Sequence, residues 1–511
     1  MNPRPFSIAV IGAGFSGALL TVHLLRHCRP GDRVYLIEKR AGFGRGLAYS
    51  TTNQRHLLNV RAGNMSAFHD QPDHFIDWLR RRAPVGGAAP TAESFVSRRL
   101  YGTYVRSLLC DELWTSGKGR NLFLVPDQAA ALNEDPRCVS LTVAGGRCYQ
   151  VDRVVLAAGN QPPDESKGAY FGNPWHPDAT TGVPREAPML LIGTGLTMVD
   201  TVQSLLDAGH KGAIHALSRR GLLPHVHAPA RPLDIGVADL PRTTSVSRLA
   251  WWLREMVRTA EARGYDWRGV IDGLRPHLQD LWRRLPIEER RRFLRHLRPW
   301  WEIHRHRMAP CVAAQLQAAM QRGQLVVGAA RIAAIEAAET SVLARVRRRG
   351  SSSIESLEVA RAINCSGPET NYKASGDPLI RDLLARGFAR PDPLGLGLEV
   401  SEQGALLNKD GVASRRLFAV GPVTRGTFWE IVAVPDIRLH CARLANRLSA
   451  MMRVSVERSE HGTNPSRGKL AHAHRLLTPA PCDTTSTRHA TTISVTLNAQ
   501  DGTHTPSPPS R

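Results

Sequence analysis

The chain has no closely spaced pair of cysteines, no long apolar run and too few acidic residues to balance its basic ones, and each shortage narrows its function. Its 8 cysteines, Cys28, Cys110, Cys138, Cys148, Cys311, Cys365, Cys441 and Cys482, include no Cys-x-x-Cys pair. A dithiol–disulfide relay is therefore not expected, and the scattered thiols fit a reducing, cytoplasmic setting. Ile8–Leu25 is the most apolar N-terminal stretch, but its glycine spacing marks a strand and helix rather than a signal peptide. No other stretch approaches the ~20 apolar residues of a membrane-spanning helix. Lys and Arg number 67 against 45 Asp and Glu, giving a formal charge of +22. The excess is spread over the whole sequence, and no basic stripe interleaves with aromatics as single-strand binders require. Neither a nucleic-acid nor a membrane partner is expected, whereas a small anionic substrate suits the charge. No catalytic triad or paired-carboxylate signature is present, and His225-Val-His227 and His304-Arg-His306 lack further ligands at metal-binding spacing.

What is present is a pair of glycine-rich turns in a chain of 511 residues, long enough for two or three domains. Phe6–Ile11 reads as a buried strand, Ser16–Cys28 as a helix and Val34–Ile37 as a second parallel strand ending in Glu38. Between the first two lie Gly12, Gly14 and Gly17. In a dinucleotide-binding turn these glycines permit, in order, the tight turn, the approach of backbone to pyrophosphate, and close helix–strand packing. Glu38, about twenty residues beyond the last glycine, stands where an acid accepts hydrogen bonds from a ribose. The second turn, Gly193-Thr194-Gly195, follows the strand Pro188–Ile192 but has Met198 at the third glycine position, so looser packing is expected. Its next strand, Ile214–Leu217, ends in Ser218, Arg219 and Arg220 instead of an acid. Arginines there favour a 2'-phosphate, and so NADPH over NADH.

Two strands ending in small residues, Val154–Gly159 and Ala362–Gly367, flank the second turn and suit chain crossings between domains. The strand Leu417–Gly421 returns to the first domain, and a helix over Pro435–Leu448 could aim its positive N-terminal dipole at a flavin pyrimidine. The fold class expected is therefore α/β, with two doubly wound, Rossmann-like dinucleotide-binding domains. The boundaries expected are an FAD-binding domain at 5–186 and 361–452, interrupted by an NADP-binding domain at 187–360. A helical, Trp-rich insertion occupies 245–308, with Leu249, Trp252, Leu253, Met256 and Val257 at helical spacing over a small core. The plain reading of the insertion is that core, with a substrate lid or an oligomer face as the other readings. Residues 455–511, rich in Ser, Thr, Pro, His and Arg and without periodicity, read as a disordered tail.

Gly44-Arg45-Gly46-Leu47-Ala48-Tyr49, His56-Leu57-Leu58-Asn59-Val60, Met65-Ser66-Ala67-Phe68, His304-Arg305-His306-Arg307-Met308-Ala309-Pro310 and Gly426-Thr427-Phe428-Trp429-Glu430 occur in that order. Together they resemble bacterial FAD/NAD(P)-binding flavoproteins, a family that includes FAD-dependent urate hydroxylases and aspartate N-monooxygenases that make nitrosuccinate. The resemblance covers roughly residues 5–450. It implies FAD and NADPH as cofactors, and adds Arg45, Gly46, Ala158, Gly159 and Gly421 to the cofactor-binding residues. Many flavoproteins end the last strand in Gly-Asp, but here Pro422 follows Gly421, so a backbone contact is expected in place of the carboxylate.

With both cofactors, hydride would pass from NADPH to the flavin, and oxygen would reach a small polar nitrogen-containing metabolite through a C4a-hydroperoxide. The protein then has to orient, protonate and exclude water, which accounts for the missing triad. Asn59 is the candidate catalytic residue near the flavin edge, with backbone satisfaction of its loop the equal alternative. Arg61 and Arg425 are candidates for holding an anionic substrate, with a surface role the plainer reading. Two other functions stay open: an NAD(P)H oxidase or dehydrogenase without oxygen insertion, and a non-catalytic redox sensor. The oligomeric state is not legible.

Overall fold

The computed structural model describes residues 5–40, 42–83, 89–114, 117–161 and 166–460. The first lobe opens with β1 (Ser7–Ile11), α1 (Phe15–His27) and β2 (Arg33–Ile37). Ile8, Ala9 and Val10 are fully buried, because β1 lies between β2 and a later strand with helices over the sheet. A long excursion carries α2 (His74–Arg80) and α3 (Arg98–Trp114) before β3 (Leu122–Val125). The meander β4 (Ala129–Glu134), β5 (Val139–Val143) and β6 (Cys148–Val151) forms its own small antiparallel sheet, and β7 (Arg153–Leu156) returns beside β1.

The second lobe runs through β8 (Tyr170–Phe171), β9 (Met189–Ile192), α4 (Leu196–Asp207) and β10 (Ile214–Ser218). There follow the helices α5 (Val246–Glu261), α6 (Trp267–Leu274), α7 (Leu278–Arg284), α8 (Ile287–Arg292), α9 (Arg298–Arg305) and α10 (Pro310–Gln321). The strands β11 (Leu325–Ala337), β12 (Val342–Arg348), β13 (Glu355–Val359) and β14 (Arg361–Asn364) complete that sheet. The chain then re-enters the first lobe through α11 (Pro378–Ala385), β15 (Ala405–Leu407), β16 (Ala413–Ala419) and α12 (Val434–Glu460).

Among the described residues the strand orders are β15-β16-β7-β1-β2-β3 in one sheet and β13-β12-β11-β10-β9-β14-β8 in the other. The central pairs of both are parallel, with antiparallel additions at β15 and at β12–β13. These are two doubly wound dinucleotide-type lobes, as the two glycine turns require. β14 pairs with β9 in the second sheet, whereas β7 pairs with β1 in the first, so the two small-residue strand ends belong to different lobes.

The helical insertion builds a core of Ile235, Leu240, Leu274, Leu278 and Leu281, with Leu249, Trp252, Leu253, Met256 and Trp301 packed on it. Trp282 instead stacks on Trp429, its ring centroid 4.7 Å away, and so ties the insertion to the C-terminal segment. Trp251 and Trp300 remain exposed. No described helix is long and apolar enough to cross a membrane. Residues 455–460 of the expected tail continue α12, and 461–511 lie outside the described residues.

Candidate functional site

The first turn is held by contacts that only glycine allows. Gly12 adopts φ 100°, its N–H donates to the Ile37 carbonyl at 2.8 Å, and a Cβ there would lie 2.5 Å from the Ala157 oxygen. A Cβ on Gly17 would stand 1.8 Å from the Gly12 oxygen, so the helix must press directly on the turn. Gly46, with φ 61°, brings its own loop against Gly14, where a Cβ would approach the Gly14 Cα to 2.8 Å. Glu38 faces the same turn, accepting from the Ala13 N–H at 2.8 Å and the Arg40 N–H at 3.0 Å. Gly421, at φ 79°, closes over Ser16, whose Oγ would lie 2.3 Å from an added Cβ. Gly14 caps α1 with extended backbone and no side-chain acceptor, leaving the first helical N–H groups open to an anion.

Gly12, Gly14, Glu38, Ala157 and Gly421 thus meet at the carboxyl ends of β1, β2, β7 and β16, the usual ligand crevice of an open α/β sheet. Beside them the Arg45 Nε is buried with no hydrogen-bond partner among the described residues, a donor suited to a phosphate oxygen. Ala158 and Gly159, with Gly159 at φ 66°, extend from the end of β7 at this crevice.

The second turn is more open. Gly193 (φ 114°) donates to Leu217 at 2.7 Å, and a Cβ there would meet the Cys365 oxygen at 2.7 Å. Gly195 has nothing within 4 Å of an added Cβ, and Met198 at the third glycine position is fully buried. Ser218 fastens the loop that follows it: its Oγ lies 2.9 Å from Thr194 Oγ1 and accepts from the Gly221 N–H at 2.9 Å. Arg220 donates to the His296 carbonyl at 3.2 Å and lies 5.7 Å from the Trp300 ring, whereas Arg219 is exposed, with no partner among the described residues.

Asn59 occupies the seam between the lobes. Its carbonyl accepts from His227 Nε2 at 3.0 Å, while its side chain makes no hydrogen bond among the described residues. Burial pushes the His227 pKa down to about 4, so the ring is neutral and free to donate at pH 7. The preceding loop is pinned to α4. His56 Nε2 lies 3.0 Å from the Asp200 carbonyl and 2.8 Å from Ser204 Oγ, and Arg98 pairs with the buried Asp200 carboxylate at 2.9 Å. Burial lowers the His56 pKa and raises that of Asp200, the latter despite Arg98. Arg61 is occupied structurally, donating to the Ala228 carbonyl at 2.6 Å and pairing with Glu93 at 2.9 Å.

Arg425 is not a surface residue. It is 7% exposed and lies over the Trp429 ring at 4.7 Å, because the aromatic stack of Trp282, Trp429 and Phe293 roofs its guanidinium. Nearby, Arg305 and Glu430 are equally buried, at 7% and 2%. Both fall within motifs quoted above, yet neither received a role, since the two residues are distant in the chain and no spacing rule joins them. Burial opposes ionisation of Glu430, but His306, Arg305, the Trp301 N–H and Arg425 outweigh it and hold the carboxyl below its usual range. The other histidines of the two pairs serve packing, with the His225 and His304 rings 4.5 Å apart beside Trp267.

Residues 9–161 match a family model described as FAD-NAD(P)-binding. Comparison with curated proteins gives no match. Among solved structures, the chain is similar to an ornithine N-hydroxylase from Kutzneria sp. 744, with TM-score 0.61, 13% identity, and coverage of 88% of this chain and 99% of that one. It is similar to L-lysine 6-monooxygenase from Pseudomonas syringae, with TM-score 0.58, 14% identity and coverage of 88% and 99%. The cadaverine monooxygenase of desferrioxamine biosynthesis from Erwinia amylovora, bound to FAD, gives TM-score 0.58, 11% identity and coverage of 93% and 100%. At these identities the likeness establishes the two-lobed fold.

Proposed function

We propose that this chain is an FAD- and NADPH-dependent monooxygenase that hydroxylates a small polar nitrogen-containing metabolite. The observation that carries the reading is the crevice at the first turn, where Gly12, Gly17 and Gly46 let backbone pack closer than any side chain allows, the start of α1 has no side-chain cap, and Arg45 Nε is buried without a hydrogen-bond partner among the described residues. In this reading Gly12, Gly14, Gly17, Glu38, Arg45, Gly46, Ala158, Gly159 and Gly421 hold FAD. Gly193, Gly195, Ser218, Arg219 and Arg220 hold NADPH, and Asn59 faces the reacting edge. When bound, the pair supplies a hydride and a flavin able to react with molecular oxygen. The chain's own residues orient the substrate, exclude water and fix the Asn59 loop through His227.

The ornithine, lysine and cadaverine monooxygenases of similar fold act on amines, which supports a nitrogen-containing substrate. Within that class, chemistry of the urate hydroxylase or aspartate N-monooxygenase type is the finer proposal, carried by the sequence motifs. We place the FAD-binding part at 5–186 and 361–452 and the NADP-binding part at 187–360, although the sheet of the latter also takes in Arg361–Asn364 beside β9 and Tyr170–Phe171 at its edge. A cytoplasmic setting is supported by the free state of seven cysteines among the described residues.

The test is anaerobic reduction of the purified yellow protein by NADPH or NADH, followed by oxygen, with aspartate, urate or neither. Oxygen-18 appearing in the substrate is the expected outcome. Stoichiometric peroxide with every substrate would replace the reading by an oxidase, absence of NADPH turnover by a redox sensor, and failure to bind flavin would overturn it altogether.

A further inference from the structure

Where the helical insertion meets the segment leading into α12, buried charges stand close together without being hydrogen-bonded to one another. Glu430 has φ 67°, the one positive value among the described non-glycine residues. Strain of that kind persists where the surrounding structure enforces it, often at a ligand site. Its Oε1 accepts from Trp301 Nε1 at 2.8 Å, but Oε2 has no hydrogen-bond partner among the described residues, with His306 Nε2 at 3.5 Å and Arg305 Nε at 3.7 Å.

Arg305 is in the same condition. Its side chain is 6% exposed, and neither Nε nor Nη2 has a hydrogen-bond partner among the described residues. Asp436 lies 4.0 Å from Nη2 but is already held by Arg275 at 2.8 Å. Arg425 is 8% exposed at its side chain, its Nε has no hydrogen-bond partner among the described residues, and Glu302 at 3.8 Å is already bonded by Arg298 at 2.7 Å. An unbonded buried donor or acceptor costs about 1–3 kcal/mol, more when charged, and a half-satisfied network is worse than an apolar one. With Asp436 and Glu302 engaged by other arginines, three guanidinium nitrogens and one Glu430 oxygen are left without a hydrogen bond among the described residues.

We propose that Arg305, Arg425 and Glu430 form a subsite for a small substrate bearing a carboxylate or similar oxyanion next to an N–H or O–H group. The arginines take the oxyanion and Glu430 takes the neighbouring donor. The assignment rests on the monooxygenase reading for its purpose, since the segment holding Glu430 leads directly into the helix expected to face the flavin. It makes the enzyme selective for amino or hydroxy acids over simple amines such as diamines, which offer no oxyanion.

The test uses the full-length, flavin-loaded protein without NADPH, titrated with glycolate, acetate or ethanolamine and followed by tryptophan fluorescence, because Trp301 and Trp429 touch the cluster. Glycolate should bind saturably, at least tenfold more tightly than acetate, and ethanolamine should not bind. Arg305→Lys and Arg425→Lys should each raise the glycolate dissociation constant tenfold or more while keeping bound flavin and melting temperature, because a lysine cannot reproduce the guanidinium fork. If Arg305→Lys fails to fold, Arg425→Lys alone decides. Absence of saturable glycolate binding, equal affinity for glycolate and acetate, or unchanged affinity in folded Arg425→Lys overturns the subsite. Failure of the monooxygenase reading would show separately, as no oxygen-18 incorporation, since the titration needs no turnover.

Discussion

The two glycine turns give opposite expectations for the same substitution. In Gly17→Ala the new methyl would stand 1.8 Å from the Gly12 oxygen, a backbone atom with no rotamer to move, so α1 must lift from the turn that it forms. The variant should purify colourless and lose several kcal/mol of stability, read by flavin absorbance and denaturant melts. Gly195 has φ −85° and open space around it, so Gly195→Ala should fold normally and keep its flavin. The methyl would nevertheless point where backbone should meet a pyrophosphate, and NADPH affinity should fall about tenfold. A colourless Gly195→Ala would mean that the second turn supports the first lobe. The paired arginines also separate. Arg219 is exposed and has no partner among the described residues, whereas Arg220 is tied to His296 and Trp300. Arg219→Gln should therefore raise the KM for NADPH by about tenfold, the size of one charge-assisted contact, and leave that for NADH unchanged. Equal effects on both coenzymes would remove Arg219 from the 2'-phosphate site.

At the scale of elements, the joint between the lobe of β1 and helix α4 decides whether two dinucleotide folds act together. Arg98 opens α3 and Asp200 lies within α4, and their pair is 15% and 6% exposed at the side chains. Removing one member of a buried pair strands the other, which costs about 3–5 kcal/mol. A double-mutant cycle on Arg98 and Asp200 should give a coupling of about 2 kcal/mol or more. The exposed Arg258–Glu255 pair, with a comparable distance of 2.8 Å, should give less than about 0.5 kcal/mol. Equal couplings would show that the joint is held by packing instead. This joint was illegible in the sequence, as were the Arg305–Glu430 cluster and the His227 bond to Asn59, because each links residues far apart in the chain. Gly12, Gly14, Gly17 and Glu38 stand out in the sequence because strand, turn, helix and acid follow one another, whereas the approach of Ala157 to Gly12 joins residues far apart in the chain. Arg425 was misread as a surface residue because one arginine in so basic a chain looks like surplus charge, and only the tertiary stack on Trp429 buries it. Gly193, Ser218 and Arg219 were proposed by the same local logic as the first turn, but the loop-fastening role of Ser218 depends on Thr194, which only the folded β9–α4 turn brings within 2.9 Å.

For the whole molecule, the buried histidines set the response to acid. Burial lowers His23, His227 and His440 each to about 4, with Arg26 and Arg443 adding to the effect at His23 and His440. In the unfolded chain such groups titrate near 6.5, so below that pH the unfolded state binds more protons and stability falls as pH falls. The loss starts near pH 6.5 and is complete near pH 4, with a slope of at most about 1.4 kcal/mol per pH unit for each histidine. His56, His74 and His306 shift in the same direction, whereas the raised pKa of Asp200 acts in the opposite one. Three or more such sites acting together rival the whole stability of an ordinary domain, about 5–15 kcal/mol, on a chain whose formal charge is already +22. Urea melts at pH 8, 7, 6 and 5 should show a plateau down to about 6.5 and a steep decline below it. His227→Gln isolates one contribution, because glutamine can still donate to the Asn59 carbonyl but cannot take up a proton. Its stability deficit relative to the parent protein should shrink by about 1 kcal/mol per unit as pH drops from 6 to 5. A deficit that stays constant with pH would mean that His227 keeps its ordinary pKa in the folded protein and that the seam at Asn59 is held without a neutral imidazole.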